Sequence, residues 1–239
     1  MVGGVQCCSW LRNQQLLAGA SGMTSLGSVR QLVSFKLAQR RGFEVPDEPH
    51  FDPASMPMFM SLLGAATSYL EYGSGGSTIV ATRMKVPTVT VESDRFFARA
   101  VAKRIPRDAP HRMLVANIGM TREWGVPVFK TPTSSRLKRW RTYVDLPFEH
   151  MAADAIFPDL VLVDGRFRQA CALETARQAQ RRGVATTIFV DDYEGRSYHP
   201  VERYLGKPEM TGVAAIFRIG AQTAEVPVSA VDVAAREYG

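Results

Sequence analysis

Cysteine is scarce in this chain, and its scarcity excludes a disulfide scaffold. Cys7, Cys8 and Cys171 are the only three. Two are adjacent and the third is far away, so no framework of bridges can be drawn. A reducing compartment is the expectation, with the cytoplasm as the simplest one. Histidine is equally sparse: His50, His111, His150 and His199 are scattered and match no Cys/His spacing of a zinc site. No apolar run approaches the roughly 18 residues that a membrane-spanning helix needs, so no membrane partner is expected. Charge of one sign is limited too. The 29 Lys and Arg against 23 Asp and Glu leave a net charge of +6. With a pI near 9.4, that surplus invites an anionic partner such as nucleic acid without requiring one.

Acidic residues are missing altogether from the first 43 positions, which carry Arg12, Arg30, Lys36, Arg40 and Arg41. Ser, Gly and Gln are frequent there, and Leu26, Val29, Leu32, Val33 and Leu37 recur at helical spacing. Two readings stand: an organelle transit peptide, or a basic helix behind a short disordered tail, with Met23 as a candidate start. Residues 1–45 are thus expected to be a basic, partly disordered extension. Residues 46–239 then form one domain, long enough to bury a substantial core. The 46% hydrophobic and 22% charged content is the ordinary balance of a globular domain.

What is present, from residue 68 onward, is an alternation of short apolar runs with helical patterns. The expected strands are 68–72, 88–92, 112–118, 159–164 and 185–190. Asp159-Leu-Val-Leu-Val-Asp164 is nearly all apolar, as a strand covered on both faces should be. Helices are expected over 76–84, from an Asp94 cap to about 104, over 167–182 with Gly183 closing it, and over 197–205. Before the first strand, Asp52-Pro53 reads as an N-cap with Pro at N1, opening a helix to about Ala65. Met56, Met58 and Met60 on it are expected to fill gaps. At the far end, 212–219 and 223–230 lie too close for a crossover helix and are read as an antiparallel hairpin. Five βα units and a terminal hairpin make an α/β, doubly wound sheet with one reversed strand.

The sharpest chemical signal is Glu71-Tyr-Gly73-Ser74-Gly75-Gly-Ser77-Thr78, leaving a strand and entering a helix. Glycines let backbone approach a ligand, and the helix offers unpaired N–H groups and a partial positive charge. Glu92, 21 residues after Glu71, ends the second strand, where a carboxylate can accept from both hydroxyls of a ribose. A dinucleotide site would fit part of this. However, Thr78 stands where the third glycine of Gly-x-Gly-x-x-Gly belongs, and Glu71 would repel a pyrophosphate. A cofactor carrying a sulfonium and an ammonium suits that acid.

Together with Val91-Glu-Ser-Asp94, Asp159-Leu-Val-Leu-Val-Asp-Gly165 and Val190-Asp-Asp-Tyr193, the run Leu70–Thr78 resembles class I S-adenosylmethionine-dependent methyltransferases. Within them it is similar to a poorly characterised methyltransferase-like group, over about residues 50–230. The resemblance implies a Rossmann-like seven-stranded sheet of order 3-2-1-4-5-7-6 with its last strand pair antiparallel. It also implies a glycine loop holding the methionine end of the cofactor, Glu92 and Ser93 on the ribose, and Asn117-Ile-Gly119 bordering the adenine. The candidate cofactor residues are Glu71, Gly73, Ser74, Gly75, Ser77, Thr78, Glu92, Ser93, Asn117, Gly119 and Asp164. Ser77 and Thr78 donate to the cofactor carboxylate or cap the helix.

Asp164, Asp191 and Asp192 end the fourth and fifth strands, on the edge where such sheets bind ligands. By similarity to metal-dependent O-methyltransferases they are candidates to hold Mg²⁺. Without metal, Asp164 and Asp192 are candidates to orient the acceptor or take its proton. The bland alternative is an Asp164 cap and an Asp192 pair with Arg166 or Arg196. His199 and Tyr193 lie near the same edge, and the former reads as a capping or surface group or a catalytic base. Four of the six residues from Arg136 to Arg141 are basic, with Trp140 and Tyr143 interleaved. They form either a solvated helix face or a stacking and phosphate-binding surface for RNA. Trp124 is a lid near the adenine or a core residue. The reading reached is methyl transfer to an oxygen or nitrogen of a small or medium-sized metabolite. RNA methylation and a non-catalytic cofactor-binding protein are its alternatives.

Overall fold

Period-two alternation in strands buried on both faces decides this architecture. The computed structural model describes residues 42–151 and 155–238, so the N-terminal extension, Cys7 and Cys8 lie outside it. Its strands are β1 (Tyr69–Tyr72), β2 (Thr88–Glu92), β3 (His111–Val115), β4 (Leu160–Val163), β5 (Thr186–Val190), β6 (Glu209–Thr211) and β7 (Ala214–Ile219). They form one sheet of order β3-β2-β1-β4-β5-β7-β6. All neighbours are parallel except β5–β7 and β6–β7. This is the expected Rossmann-like arrangement. Among the described residues no helix is long and apolar enough to cross a membrane.

Alternate strand residues feed two cores. Leu70, Tyr72, Val161, Val163, Ile188 and Val190 point into one. It is covered by α4 (Ser134–Glu149), α5 (Arg168–Arg182) and α7 (Val228–Ala234). Tyr69, Leu160, Leu162 and Phe189 point into the other, against Phe59 and Leu63 of α1 (Met56–Ala65). Among the described residues the remaining α-helices are α2 (Gly76–Arg83), α3 (Arg95–Ala102) and the single turn α6 (Glu202–Leu205), which a 3-10 turn at His199–Val201 precedes. Asp94 caps α3 as expected, accepting from Phe96 N at 2.8 Å and Phe97 N at 3.3 Å. Such a cap contributes about 1 kcal/mol.

Three expectations are corrected. The helix read from Asp52 begins at Met56, because Asp52 Oδ1 accepts from Ala54 N (3.0 Å) and holds a turn ahead of it. The strand read over 112–118 stops at Val115. The terminal hairpin is displaced by one element: its partners are β6 and β7, and 223–230 is not a strand. Pro227 has no N–H to give a ladder, and it instead caps α7, whose Val231 and Ala234 are buried three positions apart.

Candidate functional site

The loop leaving β1 turns at Gly73, with φ +96°, and its N–H donates to Val91 O at 2.9 Å. A Cβ on Gly73 would lie 2.9 Å from Gly165 N and 3.0 Å from Gly165 Cα. The loops after β1 and β4 therefore meet backbone to backbone, and Gly73 serves the fold before any ligand. Gly75 differs, since nothing lies within 4 Å of a Cβ built there. The open side of the loop is at Gly75, beside the first turn of α2. The Gly75 N–H is itself taken by Thr78 Oγ1 (3.0 Å), so Thr78 caps α2.

Glu71 does not line this space. It is fully buried beneath the loop. Its carboxylate accepts from Tyr69 Oη (3.0 Å), Ser77 Oγ (2.8 Å), Thr90 Oγ1 (2.8 Å) and Thr78 Oγ1. Burial pushes its pKa up to about 7, against the pull of the four hydroxyls. Thr90 has one proton and gives it to Glu71, so the contact of Thr90 Oγ1 with His111 Nε2 at 2.9 Å has the imidazole donating. Burial lowers the His111 pKa to about 4, in keeping with a neutral ring. The Ser77 and Thr78 hydroxyls are thus directed inward, and the acid under the loop acts as its support.

Glu92 is where the end of β2 meets the loop. Its Oε2 accepts from Ser74 N (3.1 Å) and Ser74 Oγ (2.7 Å), while Oε1 accepts from Ser93 N (2.6 Å) and Asp94 N (2.9 Å). Ser74, Glu92 and Ser93 are thereby brought together. Beyond β3, Asn117 Oδ1 accepts from Gly119 N (3.0 Å), closing a turn at φ +103°. The chain folds back through the Thr121–Pro127 bridge. Trp124 is 75% exposed with φ +60°, which excludes its core reading. The adjoining Gly125 packs on Ser93: a Cβ there would lie 2.6 Å from Ser93 Oγ.

At the ends of β4 and β5, the three acids gather around an arginine absent from the sequence-derived site. Arg168 is 4% exposed. It donates from Nη2 to Asp164 Oδ1 at 2.8 Å and from Nη1 to the Asp191 carbonyl. Asp192, at φ +50°, accepts from Arg196 Nη2 at 2.9 Å, so of the two partners considered for it Arg196 is the one engaged. Asp191 is 5% exposed, and its Oδ1 has no hydrogen-bond partner. Burial, reinforced by the Asp164 and Asp192 charges, pushes its pKa up to about 7. Burial also raises Asp164, with Arg168 opposing. Among the described residues no group of three or more His, Cys, Asp or Glu is placed to hold a metal ion. Two of the carboxylates are already engaged by guanidinium groups, so the donor set does not fit Mg²⁺. The only trace of Arg168 in the sequence was its place two residues after Arg166 and four after Asp164.

His199 is 79% exposed, with Nδ1 at 2.9 Å from Glu202 Oε1, which also accepts from Tyr193 Oη at 2.9 Å. It sits on the surface and bonds to Glu202 rather than to Asp164, Asp191 or Asp192. In α4, Trp140 and Tyr143 are fully buried, packed with Phe167 at ring separations of 5.5 and 5.9 Å. Arg141 is bound to Asp145, Glu174 and Asp232. The RNA-stacking reading of Trp140 and Tyr143 is overturned, because helical periodicity turns both rings into the core. Arg136, Lys138 and Arg139 are left on the outer side.

No protein-family model matches the chain, and no curated protein does. Among solved structures, a methyltransferase-like protein from Silicibacter pomeroyi is 31% identical with a TM-score of 0.65, over 81% of this chain and 100% of that one. A methyltransferase from Podospora anserina, solved with S-adenosylhomocysteine, is 14% identical with a TM-score of 0.39, over 81% and 73%.

Proposed function

The chain belongs to the class I S-adenosylmethionine-dependent methyltransferases, in their methyltransferase-like group, and from this we propose that it moves a methyl group onto an oxygen or nitrogen of a small or medium-sized metabolite. The observation that carries the reading is the meeting of the Gly73–Gly75 loop with Glu92. A carboxylate at the end of β2 lies against backbone that is open to solvent at Gly75. In this reading Glu92 and Ser93 hold the ribose, whose hydroxyls compete with Ser74 for Oε2. Ser74, Gly75 and the first turn of α2 receive the methionine end, and Asn117 and Gly119 border the adenine. Glu71, Ser77 and Thr78 position that loop from beneath, and Gly73 and Gly165 set its height.

S-adenosylmethionine, when bound, supplies an electrophilic methyl group, and the work of the protein is alignment of the acceptor. Asp164 and Asp192, each tied to an arginine, orient the acceptor. Asp191 has a buried oxygen without a hydrogen-bond partner and a pKa pushed up to about 7, which suits a group that takes the acceptor's proton once the acceptor reaches it. The small-metabolite reading is supported over RNA by the loss of the aromatic platform in α4. Calorimetry with S-adenosylhomocysteine tests the proposal. Glu92→Ala should lower affinity by about ten- to a hundredfold, and unchanged affinity would remove Glu92 from the site. Binding of NAD without binding of S-adenosylhomocysteine would overturn the whole reading. A protein that binds the cofactor and methylates nothing would be the non-catalytic alternative.

A further inference from the structure

The charges at the carboxyl ends of β4 and β5 pair off unevenly. Arg168 meets Asp164 and Arg196 meets Asp192, whereas among the described residues the Arg166 guanidinium makes no hydrogen bond or ion pair, and its Nε is buried without a partner. Burial depresses the Arg166 pKa and the neighbouring Arg168 adds to the effect. A half-buried guanidinium held in this way costs stability unless something anionic completes it. Tyr198 is 5% exposed with a hydroxyl that also lacks a partner, and it lies within electrostatic range of both Arg166 and Arg168. The third observation is α5 itself. This 15-residue helix starts two residues after Arg166, with no side-chain cap and no acid in its first turn, so its free N–H groups favour an anion. Its N-cap, Phe167, is a fully buried non-glycine residue at φ +55°, a strained conformation of the kind that collects at ligand sites. Arg166 Cγ lies 3.6 Å from where a Gly125 Cβ would stand, and that same Cβ would meet Ser93 Oγ. The arginine stem thus starts at the proposed ribose site, on the loop shared with Asp164.

We propose that Arg166, with the Tyr198 hydroxyl, is the anion-recognising element of the acceptor site, so that the methyl acceptor carries a carboxylate or phosphate group. The proposal rests on the methyltransferase reading above. The carboxylate of the cofactor's own methionine end has the same chemistry, and the experiment separates the two sources.

Calorimetry with S-adenosylhomocysteine comes first. Arg166→Gln should bind it within about threefold of wild type, whereas a loss of about tenfold or more would assign Arg166 to the cofactor and overturn the proposal. The protein saturated with S-adenosylhomocysteine is then titrated with matched probes: para-hydroxybenzoate against para-hydroxybenzamide, and phenyl phosphate against phenol. In the wild type at least one anionic probe should bind about tenfold more tightly than its neutral counterpart, as a charge-assisted contact requires. That preference should survive in part in Arg166→Lys, weaken in Tyr198→Phe and vanish in Arg166→Gln. No preference in the wild type, or the same preference in Arg166→Gln, would overturn it. A wild type that fails to bind S-adenosylhomocysteine would remove the methyltransferase reading itself, a result distinct from cofactor binding without anion preference.

Discussion

Glu71 makes the stability of this protein depend on pH in a direction opposite to that of a salt-bridged carboxylate. Its pKa rises from 4.5 in the unfolded chain to about 7 in the fold, through burial. The folded state therefore holds the proton more tightly than the unfolded one. The associated stability is fully present below the unfolded pKa and is lost as pH rises through the folded one. A displacement of about 2.5 units corresponds to roughly 3.4 kcal/mol in full, of which about 2.5 kcal/mol falls between pH 5 and pH 8. Glu71→Gln keeps a neutral amide in place and removes the titration. It costs some stability outright, because an amide nitrogen must now face hydroxyls that donated to a carboxylate, and Thr78 already accepts from Gly75. Urea unfolding of both proteins across this range is the assay. Asp191, also raised to about 7, titrates in the same window in both, so only the difference between the two curves reports Glu71. That difference should shrink by about 2.5 kcal/mol as pH rises from 5 to 8. Parallel curves would refute the reasoning and place the Glu71 pKa near its ordinary value.

Other outcomes follow from packing and charge. Trp140→Ala should destabilise the fold by about 3–5 kcal/mol, since the ring is fully buried. The salt dependence of any RNA binding, read by fluorescence anisotropy, should be the same in this variant. Gly165→Ala should be strongly destabilising, because its Cβ would overlap the Tyr143 hydroxyl. Tyr143→Phe should recover part of that loss in a double-mutant cycle followed by thermal unfolding, and strict additivity would show that the clash is not the cause. Adding Mg²⁺ should not raise the melting temperature, and excess chelator should not change any methyl transfer. A chelator-sensitive activity restored by Mg²⁺ would show that a metal displaces the Arg168–Asp164 and Arg196–Asp192 pairs.

The elements easiest to read in the sequence were those whose signal is local. Leu-Val-Leu-Val in β4 and Thr-Val-Thr-Val-Glu in β2 announce strands by composition, and the Gly73-Ser-Gly75 turn into α2 is visible from its glycines. Asp94 as the cap of α3 needed only the two residues that follow it. The hairpin was harder. Residues 223–230 are as β-branched as many strands, and the three-residue β6 is too short to stand out. The choice between them was made by what β7 pairs with and by Val231 and Ala234 finding α5. The glycine loop follows β1, Glu92 ends β2, and Asp164 and Asp191 follow β4 and β5, as their spacing suggested, yet the direction each side chain faces was not written there.

What the sequence determined by itself is therefore the succession of βα units, the glycine loop between β1 and α2, and the carboxylates at the strand ends. These depend on backbone propensity and on spacings within a few residues. Only the tertiary structure decided that Glu71 supports the loop from below, that Trp140 and Tyr143 belong to the core, and that Arg168 and Arg196 take Asp164 and Asp192 while Arg166 is left unpaired among the described residues. The Thr90–Glu71 hydrogen bond and the packing of Trp140 and Tyr143 on Phe167 depend on which distant residue burial brings close, whereas Arg168–Asp164 and Arg196–Asp192 join residues four apart, and the fold selects which of the nearby arginines takes each acid. That selection is made by the packing of the two faces of the sheet, which no local spacing encodes.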